Sequence, residues 1–235
     1  MPQPWTECVP RLAGRLTTLR EVAASDVDTL LTLFSQPLVT AFMAPPPPTP
    51  AKFAGFVAWS HDERRNGRGL CFGVVPQGME AAVGILQIRS LDPAMSSAEW
   101  GFVMGPQFWS SGIFVDAACA LVDFAFSSLR VGRLEAHVAT KNARAHAAIR
   151  KLGARSERTI PSEAPTGVTR DPEVLWALSA DDWRNRPRET RPPDADERRQ
   201  LQRSVEAAAR VLRGGDLPKT IEPYPLFMFD RRRKR

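Results

Sequence analysis

The sequence predicts an α/β protein with a mixed, largely antiparallel central sheet, helices on its flanks and a C-terminal helical extension. Three strand-like segments follow one another in the first half with only turn residues between them, as antiparallel neighbours do. Helical and strand-like segments then alternate, which favours crossover connections. The 235 residues, 43% hydrophobic and 25% charged, suffice for one core of about 150 to 200 residues with an appendage.

The first expected helix begins near Ser25, whose hydroxyl is a preferred N-cap group. Leu30 and Phe34 belong to its apolar side, and Pro37 follows its end.

A stiff connector and a second helix are expected next. Residues 45–48 are four prolines, which cannot continue a helix. Thr49 and Pro50 then combine an N-cap with a first-turn proline, which predicts a helix to about Arg65, closed near Gly67.

The remaining elements of the main body are predicted from periodicity and turn residues. Gly78 and Asp92-Pro93 suit the turns between the first three strands, and Gly153 suits the end of the last body helix. Strands are expected at 70–75, 82–89, 98–104, 133–139 and 173–178, and helices at 112–129 and 142–152.

The composition changes beyond residue 180. We expect an N-terminal segment at 1–14, the main domain at 15–180, an Arg- and Pro-rich linker at 181–193, and a helix with a basic tail at 194–235. Asp194 and Glu197 resemble a capping box. The narrow apolar stripe of this helix predicts packing on the main domain or on a second subunit in a homodimer; it consists of Leu201, Val205, Ala208 and Leu212.

The formal net charge of +6 is concentrated in the tail. Residues 181–235 hold 15 basic and 10 acidic residues, a net of +5, and residues 231–235 are all basic. The nearly neutral main body argues against an extended nucleic-acid-binding face, so an RNA or ribosome partner is suggested by the tail alone.

The three cysteines form neither a disulfide framework nor a zinc motif, and Cys71 and Cys119 lie in apolar runs typical of buried thiols. No stretch reaches the roughly 18 apolar residues of a membrane span, and residues 1–10 do not read as a signal peptide. We therefore expect a cytoplasmic protein without a membrane partner and without a metal.

The segment 98–112 reads as a strand, a short loop of small residues and a helix start. Small residues let a phosphate approach the backbone, and the free N–H groups of a helix start stabilise its charge. The segment contains neither GxxxxGK[ST] nor GxGxxG with a downstream acid, so it fits neither of those nucleotide-binding fingerprints.

Several motifs resemble the GNAT-type acyl-CoA N-acyltransferases, and among them the branch of ribosomal-protein N-terminal acetyltransferases. Gln107 and Gly112 match the family's [Q/R]-x-x-G-x-[G/A] loop, with the branch's aromatic-Trp pair present as Phe108-Trp109. Residues 123–126 resemble its DYAF segment, and residues 142–153 its N-x-x-S-x-R-x-x-x-K-L-G helix. Upstream, Leu19-Arg20 and Asp26-Val27 resemble its first strand and helix. The resemblance runs from about Arg15 to Ala180.

The resemblance implies a GNAT-like fold that binds acetyl-CoA between two splayed strands. Met104 or Val103 would supply the backbone N–H that stabilises the oxyanion, and Glu99 would be the general base, directly or through a water. A carboxylate on the strand face that only meets solvent is the alternative for Glu99. The implied cofactor-binding residues are Phe102, Val103, Met104, Gln107, Ser110, Ser111, Gly112, Ile113, Phe114 and Asn142, the last of which is equally well placed as a plain helix cap.

Three positions depart from the family pattern. Ser110 replaces the first loop glycine, Phe114 replaces a small residue in the helix start, and Ala145 replaces the serine of the later helix. Residues 1–180 contain no tyrosine to protonate the thiolate; Tyr224 and His146 are the remaining candidates beside water.

The favoured function is an acetyl-CoA-dependent N-acetyltransferase that acts on an amine, either a protein N-terminus or a small molecule. The alternatives are a GNAT-fold module with altered chemistry that binds a partner, and ribosome or RNA association through the basic tail.

Overall fold

The computed structural model describes residues 4–42, 46–92, 94, 96–161, 172–186 and 195–214. The N-terminal part contains α1 (Pro4–Glu7), β1 (Leu12–Ala13), β2 (Thr17–Glu21), α2 (Val27–Phe34), α3 (Pro37–Thr40) and α4 (Pro50–Arg65). The central part contains β3 (Gly69–Pro76), β4 (Gly84–Ser90), β5 (Ser97–Met104), α5 (Ile113–Ser127), β6 (Arg133–Ala139) and α6 (Ala143–Lys151). The last elements are β7 (Arg155–Ile160), β8 (Glu173–Ser179), α7 (Ala180–Arg184) and α8 (Ala195–Gly214).

The eight strands form one sheet in the order β1-β2-β3-β4-β5-β6-β8-β7. Every neighbouring pair is antiparallel except β5 and β6, which run parallel and are joined through α5. The prediction of a mixed, largely antiparallel sheet flanked by helices is confirmed.

The two faces of the sheet are covered by different helices. The ring of Phe72 on β3 meets Phe124 of α5 edge-on at 6.0 Å between centroids. Its neighbour Cys71 faces Ser60 of α4, since successive side chains of a strand point to opposite faces. Strand β3 is therefore buried along its whole length, and burial raises the pKa of the Cys71 thiol to about 12.

The caps of several helices agree with the predictions. The Thr49 hydroxyl accepts a hydrogen bond from the Lys52 N–H at the start of α4, and Asn142 accepts one from Ala145 at the start of α6. Gly153 follows α6 with φ of 87°, a left-handed conformation that glycine adopts readily.

The prediction that Ser25 caps the first helix is wrong. Ser25 lies inside a 3-10 turn, Ala24–Asp26, and the N-cap position of α2 falls on Asp26. The carboxylate of Asp26 accepts hydrogen bonds from the backbone of Ala23 and Ala82 and from Arg20. Asp26, and not Ser25, therefore holds the segment that leads into α2.

Helix α8 packs against α2 and against the 3-10 turn Pro106–Phe108. Leu201 and Ala208 of the predicted stripe are buried there, so of the two expected partners the stripe meets the main body. The predicted cap Asp194, most of the linker and the basic tail lie outside the described residues.

Candidate active site

Strands β5 and β6 pair only at their beginnings. Residues Ser97–Glu99 lie beside Arg133–Glu135, and beyond these three pairs the two strands separate although both continue. Where they part, the sheet opens a gap that is bounded by one edge of β5 and by the start of α6. A gap of this kind exposes backbone hydrogen-bonding groups that a sheet would otherwise satisfy.

A cleft of about 740 Å³, its open mouth included, occupies this gap. Four walls form it: the end of β5, the loop before α5 with the first turn of that helix, the first turns of α6, and α3 with the residues after it. The lining residues are Phe102, Val103, Met104, Trp109, Ser110, Phe114, Asn142, Arg144, Ala145, Ala148, Leu38, Val39 and Phe42.

The backbone N–H groups of β5 point alternately to the two edges of the strand. The N–H of Gly105 donates to the Val83 carbonyl at 2.9 Å, and this bond sets the alternation of the antiparallel ladder with β4. By that alternation the N–H of Val103 points to β4, whereas the N–H groups of Phe102 and Met104 point into the cleft. Of the two predicted oxyanion donors, Met104 therefore has the suitable direction.

The loop between β5 and α5 contains two residues with left-handed backbone. Ser110 has φ of 61° and Gly112, at the N-cap position of α5, has φ of 84°. Ser110 thus adopts the conformation that favours glycine, the residue expected at this position by family resemblance. The first N–H groups of α5 follow directly and have no acceptor inside their own helix.

The side chain of Ser111 belongs to the interior of this loop. Its hydroxyl donates to the Phe108 carbonyl at 2.6 Å and lies 3.4 Å from the N–H of Ile113. Ser111 is buried, so its side chain stabilises the loop and does not form part of the cleft surface.

The start of α5 is also fixed from the N-terminal hairpin. The Asp116 carboxylate accepts hydrogen bonds from the backbone of Arg15 and Leu16 and from the Thr17 hydroxyl, at 2.7 to 3.0 Å. A β-carbon on Gly14 would lie 2.2 Å from that carboxylate, so the close approach requires glycine.

Phe114 packs on the sheet as part of an aromatic layer. Its ring centroid lies 4.6 Å from that of Phe102 and 6.5 Å from that of Trp100, with the second pair nearly parallel at 17°. The large side chain at this position is thus accommodated against β5 and forms one wall of the cleft.

The start of α6 closes the opposite side. Arg144 holds its guanidinium 3.9 Å from the centre of the Trp109 ring, a cation–π contact that joins α6 to the loop before α5. Asn142 caps α6 through its side-chain oxygen and also lines the cleft, so its two expected roles are compatible in space.

His146 does not line the cleft. Its Nδ1 accepts a hydrogen bond from the Trp176 indole N–H at 2.9 Å, and its Nε2 lies 3.1 Å from the Ala139 carbonyl. The two contacts together require a neutral ring with the proton on Nε2, held between a strand and a helix. That arrangement disfavours His146 as a proton donor to a thiolate.

Two of the predicted site residues lie apart from the others. Glu99, at the paired beginning of β5, accepts a hydrogen bond from Arg89 at 2.7 Å, and its side chain is 8% exposed. Met104 lies five positions, about 16 Å of strand, further along β5. Gln107 donates to the Gln36 side chain at 3.1 Å and so connects the loop to the residue before α3. Neither residue is among those that line the cleft.

Sequence reasoning missed the α3 wall of the cleft. Pro37 follows the end of α2 as the sequence predicts, and it is also the first residue of the short helix α3, a position that proline favours. Leu38 and Phe42 are 63% and 41% exposed, which is unusual for large apolar side chains. The Phe-Met pair at 42–43 before the proline run was the available signal of an apolar surface.

Two further features concern metals and membranes. Among the residues that the structure describes, no cluster of three or more His, Cys, Asp or Glu side chains is arranged to bind a metal ion. Within the same residues, no helix combines the length and the apolar character that crossing a bilayer requires.

Comparison with known proteins agrees with this geometry. Residues 16–155 match the acetyltransferase (GNAT) domain. An uncharacterized N-acetyltransferase of Bacillus licheniformis, p20, is 29% identical over 126 residues, which are 53% of this chain and 71% of that protein.

Solved structures share the fold. Mycobacterium smegmatis RimJ, in complex with CoA-disulfide, has a TM-score of 0.62 at 21% identity over 84% of this chain and 93% of its own. A GCN5-related N-acetyltransferase from Brucella melitensis has a TM-score of 0.66 at 20% identity over 78% and 84% of the two chains. The domain match covers more than half of the sequence, and the chain belongs to the GNAT acetyltransferase family.

Proposed function

We propose that this protein transfers an acetyl group from acetyl-CoA to an amine. The observation that carries the proposal is the gap between β5 and β6, which leads from the unpaired edge of β5 to the N–H groups at the start of α5. A backbone edge suits an extended amide chain, and a helix start suits a phosphate. The pantetheine and pyrophosphate of acetyl-CoA present these two groups in sequence, and the M. smegmatis relative is described with a CoA-derived ligand.

The donor set of the cleft fits this molecule. Phe102 would hold the pantetheine through its backbone groups, with the chain of the ligand running beside β5 toward Met104, and the N–H groups from Ser110 to Phe114 would hold the pyrophosphate. Asn142 would reach the cofactor from the opposite side. Bound acetyl-CoA supplies a thioester carbonyl that a neutral amine attacks.

The Met104 N–H is the proposed stabiliser of negative charge on the thioester oxygen. It points into the cleft and belongs to a strand that is held on its other edge by β4, so it is preorganised and needs no rearrangement. The Met104 carbonyl is occupied by the Trp109 indole N–H at 3.0 Å, which fixes the neighbouring peptide.

Glu99 stays the proposed general base, acting through water. Its ion pair with Arg89 and its distance from Met104 argue against direct contact with an amine at the cleft end. The same facts favour the second candidate function, a GNAT-fold module that binds its partner with altered chemistry.

The acceptor is proposed to be an amine attached to an apolar group, on a protein N-terminus or a small molecule. Leu38, Val39 and Phe42 offer apolar surface beside the cleft, and Arg144 is the charged residue among the described lining. Lysine-like acceptors, with a second cation to place, are less suited to this lining.

Calorimetric titration with acetyl-CoA, followed by a turnover assay on an amine panel, tests the proposal. We expect saturable binding at sub-millimolar cofactor and higher kcat/KM for apolar amines than for cationic ones. An absence of binding contradicts the proposal. Binding without turnover on peptide N-termini and small amines supports the binding module.

Glu99→Gln tests the base. We expect kcat to fall about 100-fold while the Kd of acetyl-CoA changes little, because a general base typically contributes that much and does not hold the cofactor. Glu135→Gln is the matched control, since Glu135 lies beside Glu99 in the sheet and pairs with its own arginine, Arg133. Equal kcat in Glu99→Gln and wild type would remove Glu99 from the mechanism.

A further inference from the structure

The C-terminal helix α8 contacts the loop that precedes α5. Gln200 donates from its Nε2 to the Ser110 carbonyl at 2.5 Å, across 90 residues of sequence. The helix is fixed next to this point by Leu201, which is buried, and by its packing on Pro106–Phe108. Gln200 and its helix lie outside residues 16–155, the part that matches the family domain, whereas Ser110 lies inside it.

The residue held by this contact has an unfavourable backbone conformation. Ser110 has φ of 61°, where its β-carbon crowds the following peptide and where glycine is the usual residue. Such residues persist when the surrounding structure fixes them. Here the serine departs from the family glycine, and the additional hydrogen bond falls on that same residue.

The peptide between Ser110 and Ser111 is held at both ends. Its carbonyl accepts from Gln200, and its N–H lies 3.4 Å from the Phe108 carbonyl. Because a peptide unit is planar, these two contacts fix the direction of the chain as it enters Gly112 and the first turn of α5.

We propose that Gln200 is a positioning residue that keeps Ser110 in its left-handed conformation and thereby aims the N–H groups at the start of α5 into the cleft. The assignment of acetyl-CoA as the bound ligand rests on the function proposed above. Without Gln200 the serine relaxes toward right-handed or extended backbone, and the loop must be reordered each time the cofactor binds. With glycine at position 110 the left-handed backbone is accessible without help.

The test is a set of four variants: Gln200→Ala, Ser110→Gly, the two combined, and Gln202→Ala as control. Gln202 lies on the same helix and donates to the exposed Glu206 side chain. We expect Gln200→Ala to raise the Kd of acetyl-CoA about three- to tenfold, the range of one hydrogen bond, with kcat at saturation unchanged. Gln202→Ala is expected to match wild type.

Rescue separates positioning from a general loss of structure. In the Ser110→Gly background, Gln200→Ala is expected to change the Kd less than twofold. Equal losses with Ser110 and with Ser110→Gly would overturn the proposal, as would a Gln200→Ala affinity equal to that of Gln202→Ala.

A second measurement needs no cofactor. Hydrogen exchange of the amides from 110 to 114 in the free protein is expected to accelerate at least threefold in Gln200→Ala and to stay at the wild-type rate in Gln202→Ala. If wild type fails to bind acetyl-CoA, the proposed function is wrong, while this exchange experiment still decides the role of Gln200. Unchanged exchange in Gln200→Ala contradicts that role.

Discussion

Asp26 is completely buried and still charged because hydrogen-bond donors surround its carboxylate. Arg20 donates twice at 2.7 Å, and the N–H groups of Ala23 and Ala82 donate at 2.8 and 2.9 Å. Burial alone would raise the pKa of Asp26, but the hydrogen bonds outweigh it and the pKa lies below the ordinary aspartate value. Folding therefore stabilises the charged form of this side chain.

A pH dependence of stability follows. Since the folded-state pKa is lowered, the contribution of Asp26 is complete above about pH 4 and is lost as the pH falls through the lowered value. We expect Asp26→Ala to reduce the free energy of unfolding by about 3 to 5 kcal/mol at neutral pH, because Arg20 loses its carboxylate partner and the N–H groups of Ala23 and Ala82 lose their acceptor.

Urea unfolding at pH 7 and at pH 3 measures this effect. The difference between wild type and Asp26→Ala should shrink at the lower pH. Asp196→Ala, which removes an exposed partner of Arg199, should leave the unfolding free energy nearly unchanged at both. A difference between wild type and Asp26→Ala that grows on acidification would contradict the charge argument.

At the residue scale, local motifs could be predicted and distant partners could not. Thr49, Asn142 and Gly153 act within four residues of their own positions, so the sequence contains the necessary information. The partner of Glu99 is Arg89, and their proximity depends on the register between β4 and β5.

At the scale of elements, α7 shows how a short helix can belong to the core. Trp183 is 1% exposed, packs against Phe126 and donates its indole N–H to Asp123 at 2.7 Å. The sequence places a linker at 181–193, yet residues 181–184 lie in this helix on the main body. The domain boundary after residue 180 stays a prediction, and a substitution of Trp183 tests it.

Trp183→Ala is expected to lower the free energy of unfolding by about 3 to 5 kcal/mol, the usual loss for a buried aromatic side chain. Trp183→Phe keeps one aromatic ring but loses part of the indole and the hydrogen bond, so a smaller loss of about 1 to 3 kcal/mol is expected. Chemical denaturation monitored by circular dichroism measures both. A loss below about 1 kcal/mol for Trp183→Ala would mean that α7 is dispensable and that the domain does end near residue 180.

The elements that the sequence does not predict have little or no periodicity of apolar and polar residues. Strand β7 is exposed on both faces over Arg155–Thr159, so it has no alternation of apolar and polar residues to detect. Helices α1, α3 and α7 have four or five residues, too few to show a helical period. The longer helices and the buried strands have apolar runs, helical periodicity, caps or flanking turn residues, and their predicted ends lie within about three residues of the observed ones.

At the scale of the whole molecule, the order of elements was sufficient to predict the fold class but not the cleft. Three consecutive strands followed by alternating helices and strands predict a mixed sheet. The cleft exists because β5 and β6 pair over only three residues, a property of tertiary geometry that no local pattern encodes.

The distribution of charge makes a separate prediction for the tail. Residues 231–235 supply five positive charges, and the cleft lies in the nearly neutral main body. We expect a deletion of 231–235 to leave the acetyl-CoA Kd and kcat unchanged, and to weaken retention on RNA together with its salt dependence. Filter binding at two salt concentrations measures the retention. Unchanged retention on RNA would dismiss nucleic-acid association by the tail.

The loop before α5 is held from both directions along the chain. Asp116 reaches back about 100 residues to the hairpin at 15–17, and Ser110 is held by a residue 90 positions ahead. Contacts that close such long loops form late in folding, because the chain entropy of closure is lost before the contact stabilises anything. Cofactor affinity should therefore appear last during refolding, after the sheet has formed, and should report on completion of the whole molecule.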